Sequence, residues 1–167
     1  MWYWYIITFV VSLIVAITSV WFAQKWSAKR AYTRSLQNLK AELLANIKVS
    51  NLIHEWADIN EKALVKDRLV VASCPHFYNM AWVDVKGALY ASDSKSAVEL
   101  EDLYLQAGVV NDLILTMEEL KWGAGGAMTG TEVRRKTVLQ AIREIVKGIV
   151  LPKLEGANKL IDNLIKS

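Results

Sequence analysis

The first 24 residues contain no charged side chain, and the first 74 contain neither glycine nor proline. The first absence excludes a solvated N-terminal domain. The second leaves no built-in helix breaker ahead of Pro75. Cysteine is almost missing: Cys74 is the single one, so no intramolecular disulfide forms, as in chains that live in a reducing compartment. Only two histidines occur, His54 and His76. No H-E-x-x-H is present, and Asn51 precedes His54 by three where a di-iron E-x-x-H pair would carry Glu. A phosphate loop is excluded because Gly125 is followed by Gly130-Thr131 without a lysine.

What fills the uncharged start is Trp2 to Ala23, an apolar run that as a helix reaches roughly 30 Å, the hydrocarbon thickness of a bilayer. Aromatics mark both ends: Trp2, Tyr3, Trp4 and Tyr5 on one side, Trp21, Phe22 and Trp26 on the other. A cleaved signal would need a basic start and a small residue three before the cut, where Trp21 stands before a cut after Ala23. The run is therefore expected to stay as a transmembrane anchor over 1–24, with residues 25–167 as the second unit. Lys25, Lys29, Arg30 and Arg34 follow at once and precede the first acid, Glu42. That flank predicts contact with lipid headgroups. It also predicts an inner (plasma) membrane protein with its N-terminus outside and its C-terminal domain in the cytoplasm. Thr8, Ser12, Ala16, Ser19 and Ala23 recur at spacings of four and three, which stacks small residues along one side of the anchor. Such a stripe lets helix backbones approach in lipid, so self-association or docking on a partner membrane protein is expected there.

Beyond the anchor all 20 basic and 17 acidic residues appear, in the proportions of an ordinary domain. The net charge of +3, with no helix-turn-helix, gives no footing for nucleic-acid binding. Helical periodicity dominates. Leu36, Leu39, Leu43, Ile53 and Ala57 form one stripe with Asn46 and Ser50 inside it, and Leu44, Ile47, Leu52 and Trp56 are expected to widen it. Arg68 to Ser73 reads as a strand or a helix end. Ser73-Cys74-Pro75 has the form of a helix start, leading through Phe77, Met80, Ala81, Trp82 and Val85 towards Tyr90, with a polar turn over 91–95. Ser96 to Glu99 has capping-box spacing before a stripe of Leu100, Leu103, Ala107, Val110, Ile114 and Met117, which ends at Gly123. A glycine-rich loop over 123–130 follows. A second capping box, Thr129 to Glu132, then opens a last helix built on Val138, Ile142, Ile145 and Ile149, which Pro152 kinks or divides. The fold class expected is all-α: one N-terminal transmembrane helix followed by an antiparallel cytoplasmic helical bundle.

Leu39-x-x-Glu42-Leu43-x-x-Asn46 after a basic flank, then Ala81-Trp82, Gly87-x-Leu89, Leu100-x-x-Leu103-Tyr104 and Val110-Asn111, resembles a broad group of small prokaryotic single-pass membrane proteins of unassigned function. The resemblance covers roughly residues 25–114. It implies the same architecture in a prokaryotic setting, and no catalytic residues.

Candidate chemistry is sparse. Cys74 with His76 lacks an oriented base and reads as a plain thiol. Carboxylates on the third helical stretch (Glu99, Glu101, Asp102, Asp112, Glu118, Glu119) face a cationic set on the next (Arg134, Arg135, Lys136, Arg143, Lys147), predicting attraction between neighbouring helices. Asn46 and Asn111 are expected to form interhelical hydrogen bonds that fix register. No catalytic site, metal site or cofactor is expected. The function expected is that of a non-catalytic, membrane-tethered interaction module, a scaffold or accessory subunit. The alternative is a membrane signalling or stress-effector protein whose helical domain senses a ligand or partner.

Overall fold

The computed structural model describes residues 2–64, 73–122 and 128–166; of 121, 122 and 128–131 it describes the backbone only. Every regular element among them is helical. Helix α1 runs from Trp2–Leu64 without interruption, followed by α2 (Met80–Ser92), α3 (Ser94–Trp122), α4 (Met128–Ile145), a π-helical turn (Val146–Val150) and α5 (Leu151–Lys166). The 63 residues of α1 agree with the absence of glycine and proline from that stretch. At 1.5 Å per residue the helix is about 95 Å long.

Only its second half has partners. Every side chain from Trp2 to Ala31 is exposed, and burial begins in earnest at Leu36. From there α1 packs on α2, α4 and α5, while α3 packs on α2 and on the α4–α5 rod. The result is a four-cornered bundle in which α1 and α3 occupy opposite corners. Its directions alternate. Tyr32 of α1 meets Ser92 at the end of α2, whereas Glu42 meets the start of α2. Lys40 pairs with Asp162 near the end of α5, and Arg143 of α4 reaches Asp58 and Glu61.

The core follows the expected stripes closely on two helices. Leu36, Leu39, Leu43, Ile53 and Ala57 are buried, and so are Leu100, Leu103, Ala107, Val110, Ile114 and Met117. Trp82 and Ile142 are buried with them. The widened face on α1 is corrected in part: Trp56 is buried and Ile47 half-buried, but Leu44 and Leu52 face outward. They lie on the side of α1 turned away from its flanking helices. Along α4 and the π-turn that follows it the buried apolar positions are Leu139, Ile142, Val146 and Val150; Val138 and Ile145 are only partly covered and Ile149 is exposed.

Three boundaries differ from expectation. Ser73-Cys74-Pro75 does not open a helix; residues 73–79 are irregular and α2 begins at Met80. Ser96 is not the cap of α3. The helix starts at Ser94, and Asp93 caps it by accepting from the Ser96 backbone N–H at 3.2 Å and from the Ser96 hydroxyl. The expected turn over 91–95 thus shrinks to Asp93 alone, between α2 and α3. Met128 to Gly130 belong to α4, so the second capping box lies inside a helix already begun. The strand-or-helix question over 68–72 and the glycines at 123, 125 and 126 lie outside the described residues.

Pro152 divides the last helix through the π-turn that precedes it. Proline lacks an N–H and its ring collides with the carbonyl four residues back. The chain widens just before it, with the Leu151 N–H bonding to the Val146 carbonyl five residues back. Leu154 and Ile161 of α5 continue the buried row.

Candidate functional site

The expected association stripe Thr8, Ser12, Ala16, Ser19 and Ala23 is fully exposed on one side of α1. Its hydroxyls donate inside their own helix: Thr8 to the Trp4 carbonyl, Ser12 to the Thr8 carbonyl at 2.8 Å, and Ser19 to the Ala16 carbonyl at 2.9 Å. With those protons committed, the stripe offers a smooth groove and oxygen lone pairs to a neighbour. The flank Lys25, Lys29, Arg30 and Arg34 is exposed as well. Two of its cations lie over aromatic faces, Lys25 over Trp21 at 5.0 Å and Arg30 over Trp26 at 3.6 Å.

Asn46 and Asn111 act on a different target from the one expected. Each grips the irregular segment 73–79 rather than another helix. Asn46 donates from Nδ2 to the Tyr78 carbonyl at 2.8 Å, and its Oδ1 accepts from the Tyr78 N–H at 2.9 Å. Asn111 does the same to Phe77: its Oδ1 accepts from the Phe77 N–H at 2.9 Å, and its Nδ2 donates to the Phe77 carbonyl at 3.2 Å. A primary amide presents a donor and an acceptor side by side, as a strand edge does, so one Asn satisfies both backbone groups of one residue. Two successive residues are thereby held from opposite corners of the bundle.

Glu42 continues this arrangement. Its carboxylate accepts from the Ala81 N–H at 2.7 Å, from the Trp82 N–H at 3.4 Å and from the Tyr104 hydroxyl at 2.6 Å. Asn79 at the start of α2 makes no side-chain cap. Glu42 supplies the missing acceptor from another helix and adds a negative charge at the N-terminus, where the helix dipole favours it. Tyr104 in turn stacks on Trp82, with centroids 5.4 Å apart and planes within 4°. Burial first, then the Glu42 bond, pushes the Tyr104 phenol above its ordinary range. The motif residues Glu42, Asn46, Trp82, Tyr104 and Asn111 therefore converge on the entry to α2.

Beside them an open groove of about 500 Å³ lies between α1 and residues 73–75, lined mainly by Leu52, Trp56, Ile59, Asn60, Cys74 and Pro75. Cys74 is only 4% exposed. Burial, and then the Glu118 carboxylate, push its thiol from an ordinary 9.0 up to about 12. At neutral pH it is a thiol, not a thiolate nucleophile. A raised folded-state value places protons more tightly on the folded chain, so this contribution is complete below about pH 9 and is lost as pH climbs towards 12. Denaturation at a series of pH values should show stability falling over that window, and Cys74→Ala should flatten the fall. A wild-type curve flat from pH 8 to 11 would contradict it.

Among the described residues no three His, Cys, Asp or Glu side chains cluster as a metal would require. His54 lies 3.6 Å from Asp58, whose carboxylate also meets Arg143. The charge sets of α3 and α4 do not pair with each other. Glu101 binds Lys86 and Tyr90 of α2, Asp102 binds Lys153 of α5, and Arg143 binds Asp58 and Glu61 of α1. These pairs are half-exposed and each contributes little. Arg135 is buried instead against the end of α3, donating to the Leu120 carbonyl. That places Arg134-Arg135-Lys136 at the end of the bundle far from Tyr32.

The signal missed in the sequence was Glu42, a carboxylate lodged between Leu39 and Leu43 on the buried side of α1. No protein-family model matches this chain, and neither a curated protein nor a solved structure shows detectable similarity to it.

Proposed function

We propose that the chain is a membrane-tethered, non-catalytic helical interaction module, a scaffold or accessory subunit of a membrane-associated complex. The observation that carries this reading is α1. One helix is long and apolar enough to cross a membrane, and it enters the bundle core without a break. Its unpartnered stretch, Trp2 to Ala31, is about 45 Å long, the thickness of a bilayer with its headgroup layers. The uncharged start and the flank Lys25, Lys29, Arg30 and Arg34 support an orientation with the N-terminus outside and the bundle in the cytoplasm.

Two surfaces support the interaction role. The small stripe Thr8, Ser12, Ala16, Ser19 and Ala23 suits a second span, from another copy or a partner membrane protein. On the bundle, Leu44, Leu52 and Ile59 stand exposed along α1, and Leu105 and Val109 along α3. A reporter fused after Ser167 that works only outside the cytoplasm should stay silent; activity there refutes the orientation. Crosslinking in native membranes should attach one constant protein to the chain. Replacing Ser12 and Ala16 by Leu keeps insertion but fills the groove, and crosslinking through Ser19→Cys should drop. An unchanged yield would remove the stripe from the interface.

A further inference from the structure

We infer that the end of the bundle nearest the apolar stretch is itself a docking surface for anionic lipid headgroups, joining the α2–α3 turn and the end of α5 to the flank on α1. The inference rests on the reading of α1 as a membrane span.

The geometry begins with Tyr32, whose hydroxyl meets the Ser92 hydroxyl at 2.9 Å. Tyr32 lies eight residues past Gln24, about 12 Å further along the helix axis. The last turn of α2, Asp93 and the first turn of α3 are thus held beside α1 just above the place where the span would leave the hydrocarbon. A headgroup layer occupies roughly 5–8 Å of that distance, and screening at physiological salt extends over about 8 Å. A lysine in this turn is therefore within electrostatic reach of the surface. Lys95 is that lysine, and it is exposed. On the opposite flank the Lys40–Asp162 pair fixes the end of α5 against α1, one turn above exposed Lys166.

The charge of this end is one-sided. Lys25, Lys29, Arg30, Arg34, Lys95 and Lys166 outnumber the carboxylates of this end: Asp93, whose oxygens are engaged by Ser96 and which also attracts Lys95, and exposed Glu99 in the second turn of α3. Asp162 is neutralised by Lys40. The opposite end of the bundle mixes signs, with Asp58, Glu61, Glu118 and Glu132 among Lys62, Arg134 and Lys136. These cations, on three separate elements and staggered along the bundle axis, are spread across this end rather than gathered in a pocket. Such a spread fits a sheet of phosphodiesters, and the rigid α1 prevents the bundle from swinging away from it.

The test uses the full chain reconstituted in phosphatidylcholine bilayers, with and without phosphatidylglycerol, and reads acylation of each lysine by mass spectrometry. Near an anionic surface, Lys95 and Lys166 should react about fivefold more slowly than over neutral lipid, together with Lys25 and Lys29, and recover in high salt. Lys62 and Lys136 should react equally in both bilayers. Equal rates at Lys95 and Lys166 in a chain that resists alkaline extraction overturn the docking surface alone. A chain that alkali extracts overturns the span and the surface together. Protection by inorganic phosphate over neutral lipid would make the end an anion site and overturn the lipid surface.

Discussion

Trp82→Ala is expected to destabilise the bundle by about 3–5 kcal/mol, the cost typical of removing a large buried aromatic. Trp82 is 5% exposed, stacks on Tyr104 and carries Lys86 over its other reach, with Nζ 5.8 Å from the ring. Deleting the indole leaves a cavity between α2 and α3 and strips Tyr104 of its partner. That ring also holds Glu42 in place through its hydroxyl, so the loss spreads to the start of α2. The short α2 has only Trp82, Val85 and Leu89 to bury, and it cannot replace the largest of them. Urea denaturation of the full chain followed by circular dichroism should show the shift, with Trp82→Phe intermediate. A midpoint within experimental error of wild type would mean that the stack contributes nothing.

Glu42→Ala is the second large effect, expected at about 2–4 kcal/mol. It removes one acceptor from three donors. Each half-buried donor left unpaired costs about 1–3 kcal/mol, and loss of a helix cap alone about 0.5–2. Glu42→Gln separates the chemistry from the volume. Its oxygen still accepts from Ala81, and its amide donates to Tyr104, whose hydroxyl turns round to accept. The cost should fall to about 1 kcal/mol. Hydrogen exchange gives an independent reading: the Ala81 and Trp82 amides should exchange markedly faster in the alanine variant. A double variant with Asn46→Ala should be less destabilised than the two single effects added, because both residues hold the same entry to α2. Unchanged exchange at both amides would show that α2 is capped by something else.

The residues that were legible in the sequence are those whose burial follows from period alone. Leu36, Leu39 and Leu43 on α1, and Leu100 to Met117 on α3, lie on single rows facing several neighbours, and helical spacing suffices to find such rows. Where two apolar residues stand side by side, spacing does not decide between them. Leu43 is buried and Leu44 exposed, Ile53 is buried and Leu52 exposed, because helices flank only part of α1. On α4 helical spacing points to Val138 where Leu139 is the buried residue, because the rows 138-142-145-149 and 139-142-146-150 differ by less than about a quarter turn. The start of α2 was illegible for another reason. Its cap is Glu42, 39 residues upstream, and its leading segment is held by Asn46 and Asn111. Local signals such as Ser73-Cys74-Pro75 describe only what a chain does unaided. The asparagines stood out as polar residues in or beside apolar rows, but their partner was backbone, which no side-chain pattern spells.

The unbroken path of α1 from Ala23 to Leu36 makes sequence length there a rotary setting. Each residue of an α-helix turns its neighbour by about 100° and advances it about 1.5 Å. One residue inserted between Lys25 and Ala31 would swing the Thr8–Ala23 stripe about a quarter turn around the axis relative to the Leu36–Ala57 row. Seven would bring it back to within about 20° while lifting the bundle some 10 Å. Any complex that grips both rows at once therefore reads the number of residues in this stretch as an angle, and tolerates change only in whole turns.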